Sequence, residues 1–375
     1  MSYFSVEGIK ISAIAGAVPT KIVHSSDYEN IFGEEAVQKF IDSTGIKEHR
    51  ETHELQTASD LGCAAAENLL AKTGINKEDI GLLIFGSQAP DYRRPATAYV
   101  LQKRLGLNKD CAAFDVSLGC SAFCYCLGIA ASMLQHSDSR RALLILAETS
   151  SKITSKNDRS VAMMFGDAGA AILLEKTENN DSMQEDNRLN ILLRADGSRY
   201  KSIIIPAGGY RNMHAAEEPM LWDDGNMRTL YNLNMNGVDV FSFAISDVTR
   251  SIKEFMQNTE TDIADYDCLA LHQANHSILK YIAKSLHMPL GKIPVSLDKY
   301  GNTSGASIPL TLCDCYGEFN DDKKQNILMS GFGTGLSWGV LAAKINPKNI
   351  YPIIETDDYY AEGIINSPED WERIK

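Results

Sequence analysis

The sequence predicts an α/β protein built on buried, largely parallel sheet, and three observations carry that prediction. Short apolar runs at 80–85 (IGLLIF), 112–116 (AAFDV) and 142–147 (ALLILA) alternate with longer helical patterns, as expected for strands covered on both faces. The second half of the chain repeats this order of elements without repeating the letters. With 375 residues and 44% hydrophobic content, the chain can bury a large core, as one big domain or two fused halves.

In chain order, residues 9–18 are mildly apolar, interrupted by Lys10, and read as a first strand. They lack the charged start and cleavage site of a signal peptide, and no run reaches the 18 or so apolar residues of a membrane span. A cytoplasmic protein is expected. Ser59 and Asp60 can cap a helix that runs through Leu70 and ends at Gly74. The strand at 80–85 follows, then a helix over 95–105 and the strand at 112–116. Residues 117–119 (SLG) form a small-residue elbow, and Cys120 opens a helix through Leu134 that is apolar on nearly every side. The strand at 142–147 completes this half.

A polar, acidic segment without periodicity, 176–188 (KTENNDSMQEDNR), reads as an exposed connection. Beyond it come a helix over 240–256, a strand at 268–271, a helix over 276–286, and residues 293–296 leading into the glycine turn at Gly301. Asn302 thus holds the place in the second half that Cys120 holds in the first. The hairpin FGDAGAAILL is likewise echoed by GFGTGLSWGVLA.

Composition excludes several classes of function. The eight cysteines include Cys124 and Cys126 inside an apolar helix, so reduced thiols are expected rather than a disulfide framework. Cys124, Cys126, Cys313 and Cys315 lack metal-ligand spacing and read as core. There is no CxxC pair, and no metal is expected. A formal charge of −13, from 36 Lys plus Arg against 49 Asp plus Glu, argues against a nucleic-acid-binding surface. An acidic carrier would need a local basic patch.

A thiol at the start of a helix sits on unpaired backbone N–H groups and the positive end of the helix dipole, which favours thiolate. Taken singly, Cys120 could be a core cysteine, His272 a structural histidine ending a strand, and Asn302 a turn former. Their motifs change the reading. DVSLGCSAF around Cys120, FGDAGAAILL from Phe165, LHQANHSI from Leu271, GNTSGASIP from Gly301 and GFGTGLSWG from Gly331 occur in this order, with TGIKEHR at Thr44 and PDYRRPATA at Pro90. The set resembles the thiolase-fold condensing enzymes, and within them the beta-ketoacyl-ACP synthase III type, over residues 1 to about 346.

The resemblance implies a thiolase fold, a duplicated five-layer alpha-beta-alpha-beta-alpha arrangement with the active site where the halves meet. The halves would be 1–176, carrying Cys120, and 189–346, carrying His272 and Asn302, joined by the polar connection 177–188. Residues 347–375 form an acidic tail to which no role is assigned. The implied catalytic residues are Cys120, His272 and Asn302. Cys120 as thiolate attacks an acyl thioester and stores the acyl group. A malonyl thioester then loses carbon dioxide while His272 and Asn302 donate to its enolate oxygen, and the carbanion attacks the acyl-enzyme. The second oxyanion takes backbone N–H groups from Cys120 and, by register, Thr334, where the family has glycine. Phe332 matches an aromatic beside the nucleophile.

Implied partners are acyl carrier protein and coenzyme A thioesters, with no prosthetic cofactor, and a homodimer. Arg159 matches a residue that stacks on adenine, and Ala274 and Asn275 match positions along the pantetheine arm. Lys39 and Ser43 replace the usual tryptophan and arginine, and Ser277 replaces an arginine linked to carrier docking, which puts an ordinary coenzyme A primer in question. Lys280 and Lys284, i and i+4, offer a basic face for carrier docking, or simply a solvated face. Arg94 stands where the family's residue reaches toward the partner's acyl pocket; it either pairs with a polar or carboxylated acyl chain or turns outward. These departures weigh a specialised pathway (secondary lipid, polyketide-like or surface-glycan acyl precursor) at least as heavily as housekeeping fatty-acid initiation. The alternatives are an acyltransferase passing the acyl group from Cys120 to an alcohol or amine, and a non-catalytic synthase partner. Retention of both His272 and Asn302 favours condensation.

Overall fold

The computed structural model describes residues 2–177 and 187–373, so residues 178–186 of the polar connection lie outside the described residues. Two sheets form the frame. The first is built from β2 (Ile9–Val18), β3 (Ile80–Gly86), β4 (Ala112–Val116), β5 (Arg141–Glu148), β6 (Ala168–Lys176) and β11 (Ile354–Glu355), in the order β11-β2-β6-β5-β3-β4. The second contains β1 (Tyr3–Glu7), β7 (Arg188–Ala195), β8 (Cys268–Leu271), β9 (Gln325–Gly333) and β10 (Ser337–Ile345), in the order β1-β7-β10-β9-β8.

The duplication expected from element order is explicit in the pairings. Strands β2-β6-β5-β3 are joined antiparallel, antiparallel, parallel, and β7-β10-β9-β8 repeat that series. The sheets are therefore mixed rather than largely parallel, because each half ends in a hairpin, β5-β6 and β9-β10, whose return strand must run antiparallel. Residues 293–296, the counterpart of β4, lie outside any named strand. Each half also lends a strand to the other's sheet: β1 pairs with β7, and β11 pairs with β2.

Alternation places both faces of the central strands in apolar surroundings. Leu82 and Ile84 of β3 point into the core between the sheets, while Leu83 and Phe85 point outward. Helix α3 (Ala122–Gln135) lies between the sheets and contacts both, which explains why it is apolar all round. Helix α6 (Ser307–Tyr316) is its counterpart in the second half, touching β2, β6 and β8. Helices α1 (Ala58–Thr73) and α2 (Thr97–Leu105) cover the outer face of the first sheet. Helices α4 (Thr249–Asn258) and α5 (His276–Leu286) cover that of the second. Five layers result, helix, sheet, helix pair, sheet, helix.

Three boundaries differ from expectation for local reasons. Helix α1 is capped by Thr57, not Ser59, because Thr57 and Asp60 close a reciprocal capping box. The helix expected over 240–256 is Gly237–Phe243 followed by α4, with a π-helical turn at Ala244–Val248 between them. Cys120 lies just before its helix rather than within it, since Ser121 is the N-cap of α3.

Candidate active site

Both halves deliver their functional residues from the C-terminal ends of strands, where α/β sheets place their ligands. Cys120 follows β4, His272 follows β8, and Asn302 stands in the turn before α6. All three line one cavity of about 600 Å³, together with Phe332, Gly333, Thr334 and Ser304. Each is buried, Cys120 at 7% exposure, His272 at 2% and Asn302 at 5%.

The hairpin β9-β10 passes so close to the nucleophile that only glycine fits. A Cβ on Gly333 would fall 2.5 Å from Cys120 Cβ and 2.9 Å from its Sγ. Thr334 follows, and its backbone is not among the positive-φ residues, so threonine tolerates the position given to glycine in the resembling pattern. The backbone N–H groups of Thr334 and Cys120 and the Thr334 hydroxyl all favour the thiolate, as does the Ser304 hydroxyl at 3.7 Å from Sγ. Burial is nonetheless the largest influence and holds the Cys120 thiol above the ordinary thiol range. The expectation of a resting thiolate is thereby corrected: α3 begins only at Ala122, and desolvation outweighs the donors.

His272 is held by Ser307, whose Oγ lies 2.7 Å from Nδ1, and its ring meets the Phe332 ring edge-on at 5.3 Å. Burial drives its pKa down to about 3, opposed only by a backbone contact with Ser304, so the imidazole is neutral. Asn302 is fixed at both ends. Its N–H donates to Met164 O at 2.8 Å, its C=O accepts from Gly166 N at 3.1 Å, and its side-chain Oδ1 accepts from Ser304 N at 2.9 Å. The remaining Nδ2 is the group left to donate into the cavity.

Of the other sequence-derived candidates, Ala274, Asn275 and Phe332 line the cavity. Asn275 also caps α5 by accepting from Ile278 N at 2.8 Å. Arg159 does not reach this cavity; it lines a separate surface groove with Lys39, Ser43, Glu34 and Glu35. Ser43 and Ser277, two sites of departure, are joined by a hydrogen bond from Ser277 Oγ to Ser43 O at 2.7 Å. Lys280 and Lys284 are exposed on the outer face of α5, and Arg94 is exposed and outside the cavity lining.

Sequence reasoning missed Ser304, Glu148 and Gln88. Ser304 sits within GNTSGAS, and its positive φ of 51° is unusual for a residue other than glycine. Glu148 ends β5 inside an otherwise apolar run, and that lone acid was the available signal. Its carboxyl accepts from Gln88 N at 2.7 Å, and burial raises its pKa to about 8.

A duplicated five-layer sandwich with cysteine, histidine and asparagine converging between its halves defines the class of thiolase-fold condensing enzymes. Models of 3-oxoacyl-[acyl-carrier-protein (ACP)] synthase III match residues 114–197, and those of its C-terminal region match residues 256–345. The chain is 35% identical to the beta-ketoacyl-[acyl-carrier-protein] synthase III of Streptococcus pneumoniae (strain Hungary19A-6) over 339 residues, 90% of this chain and 99% of that protein. Among solved structures it resembles the 3-oxoacyl-(acyl-carrier protein) synthase of Burkholderia xenovorans LB400, with a TM-score of 0.86, 34% identity and coverage of 94% and 99% of the two chains. The synthase III of Thermus thermophilus is similar, with a TM-score of 0.75, 30% identity and coverage of 89% and 98%. The chain belongs to the beta-ketoacyl-ACP synthase III family.

Proposed function

We propose that this chain joins an acyl group to a malonyl thioester by decarboxylative Claisen condensation through an acyl-Cys120 intermediate. The observation that carries the reading is the convergence of the Cys120 thiol, the neutral His272 ring and the free Asn302 amide on one buried cavity. Cys120 Sγ bonds to the thioester carbon, the carrier sulfur departs, and the thiol proton goes with it. The developing oxyanion is held by the N–H groups of Cys120 and Thr334, each such donor being worth about 3 kcal/mol.

In the second half-reaction the malonyl thioester oxygen accepts from Asn302 Nδ2 and His272 Nε2. Ser307 Oγ lies against Nδ1, and the reaction uses the tautomer in which that hydroxyl donates to Nδ1 and the ring proton resides on Nε2, toward the substrate. Carbon dioxide leaves, its bonding pair becomes the enolate, and the carbanion attacks the acyl carbon. Collapse expels Cys120 sulfur, which regains a proton, and releases a 3-oxoacyl thioester.

Malonyl-acyl carrier protein and an acyl-carrier or coenzyme A thioester are the substrates on this reading. The groove around Arg159 and the basic face of Lys280 and Lys284 receive the carrier end. The single chain leaves β4 at a sheet edge, with Gln88 and Ser117 exposed at one end of the cavity. A homodimer paired along β4 would close that end and bring the partner's Arg94 near it; light scattering should then give twice 41.3 kDa.

Intact-protein mass spectrometry with a panel of acyl thioesters tests the chemistry. An increment on Cys120 that disappears with carbon dioxide release on adding malonyl carrier is expected. Asn302→Ala should acylate normally and fail to condense. An increment discharged by alcohols or amines, but not by malonyl carrier, would instead identify an acyltransferase.

A further inference from the structure

One wall of the catalytic cavity is polar, and nothing in the mechanism above uses it. Strands β4, β3 and β5 are adjacent and parallel, with Gly86 opposite both Val116 and Leu146. Their C-terminal ends therefore converge beside the nucleophile. Ser117 follows β4, Gln88 follows β3, Glu148 ends β5 and Ser150 comes next, and all four line the cavity with Cys120.

Their contacts show that the wall is unfilled. A Cβ on Gly119 would lie 2.6 Å from Gln88 Oε1, so the Gln88 side chain rests against the turn that presents Cys120. Glu148 is 3% exposed, and its only hydrogen bond among the described residues is accepted from Gln88 N. Neither the Gln88 amide nor the Ser117 and Ser150 hydroxyls have a protein partner among the described residues. The remaining lining, including Ile153, Ile203, Leu233, Met235 and Val240, is apolar. Burial favours the neutral form of Glu148, so the wall offers uncharged donors and acceptors together. An alkyl chain laid on Glu148 and Ser150, which are 3% and 6% exposed, would leave them without water or a further partner, whereas a chain carrying its own hydrogen-bonding group would satisfy them.

Resting on the synthase reading, we infer that the acyl group loaded onto Cys120 carries a neutral hydroxyl or carbonyl substituent close to its thioester end, read by Gln88, Glu148 and Ser150. Discrimination of this kind is strong because the unsubstituted analogue strands buried polar groups.

The test is a competition between butyryl-coenzyme A and 3-hydroxybutyryl-coenzyme A, with the same pair as carrier thioesters, followed by mass spectrometry of the whole protein and by carbon dioxide release with malonyl carrier. The hydroxylated member should load at least about tenfold faster. In Gln88→Leu/Ser150→Ala, where Gln88 is exposed and tolerant of change, that ratio should fall toward unity while butyryl loading improves. Equal or faster butyryl loading by the unaltered protein, with condensation intact, would overturn this inference and leave the synthase reading standing. A preference that survives the double substitution would overturn the assignment to this wall. Loading of both chains without carbon dioxide release would instead count against the synthase reading.

Discussion

A thiol as deeply buried as Cys120 resists ionisation, and the residues around it set how much of that resistance is relieved. Ser304 is the first of the groups opposing burial, so Ser304→Ala should push the thiol further up. Alkylation of Cys120 by iodoacetamide should therefore keep rising with pH beyond the point where an ordinary thiol levels off, and Ser304→Ala should slow it at pH 8; a plateau near pH 8 would contradict the burial argument. His272 and Glu148 make opposite demands on stability. With a folded pKa of about 3 against 6.5, His272 stabilises fully above 6.5 and loses that contribution as pH falls toward 3. Glu148, at about 8 against 4.5, holds a proton that the unfolded chain releases, so its contribution is full below 4.5 and lost as pH rises toward 8. Glu148→Gln should accordingly stabilise the protein by about 3 kcal/mol near pH 7 and by almost nothing near pH 4.5. Urea midpoints at the two pH values measure this, and an equal gain at both would exclude protonation as the cause. None of these shifts was legible from sequence, because burial is a property of the assembled halves.

Among the elements, those with strong local patterns were readable and those held by distant partners were not. β2 was read to its final boundaries, and β3, β5, β8 and α5 within a residue or so, since their apolar runs and periodicity specify them locally. The mixed sheet was not, because hairpin direction depends on the partner strand. The segment 222–235, which brings Leu233 and Met235 to the cavity, was also invisible. It is organised by Arg228, which is fully buried, paired with Asp158 at 2.8 Å and stacked 5.0 Å from the Trp222 ring. Asp224 and Asn234 also hold the Arg228 guanidinium, so losing Asp158 removes one of its partners, at about 1–3 kcal/mol. Asp158→Ala should lower stability by about that much and raise the apparent KM for acyl thioesters, since Leu233 and Met235 line the cavity; unchanged urea midpoints would refute the claim. On α5, the buried face is fixed by Ile278, Leu279, Ile282, Ala283 and Leu286, leaving Lys280 and Lys284 outward. Charge reversal of both should raise KM for malonyl-acyl carrier protein several-fold at low salt, with kcat for a small malonyl thioester unchanged. An effect on both substrates would point to the fold instead of docking.

At the scale of the whole molecule, the duplication was legible because the order of elements repeats, with Asn302 before α6 holding the place that Cys120 holds before α3. The acidic tail was not, since its composition gives no periodicity and its hydrogen-bond partners Tyr92 and Gln56 lie 271 and 300 residues away. In the structure it belts the first half. Ile350 is buried, Tyr351 N donates to Ile14 O and Thr356 N to Val18 O, both at 2.9 Å, and β11 extends the first sheet. The wholly buried Gln56 donates to Thr356 O at 3.0 Å and Asp358 O at 3.1 Å, Asp60 accepts from Tyr360 N at 2.9 Å, and the Tyr92 hydroxyl donates to Gly363 O. Ending the chain at residue 346 would expose the Ile350 site, worth about 1.5–3 kcal/mol, and leave the buried Gln56 amide without its acceptors, at about 1–3 kcal/mol, while Asp60 keeps Thr57 and Arg104. Ending it at residue 364 would remove only contacts beyond the Gly363 attachment. The shorter chain should thus lose at least about 2.5 kcal/mol while the longer one stays near the full protein, and the loss should fall on the half that carries Cys120. Hydrogen exchange locates it: β2 and α1 should lose protection in the 346 truncation, with α4, α5 and β8 little changed. Uniform loss across both halves would mean that the tail stabilises the sandwich as one unit, and equal stability of the two truncations would remove the belt from the account of this fold.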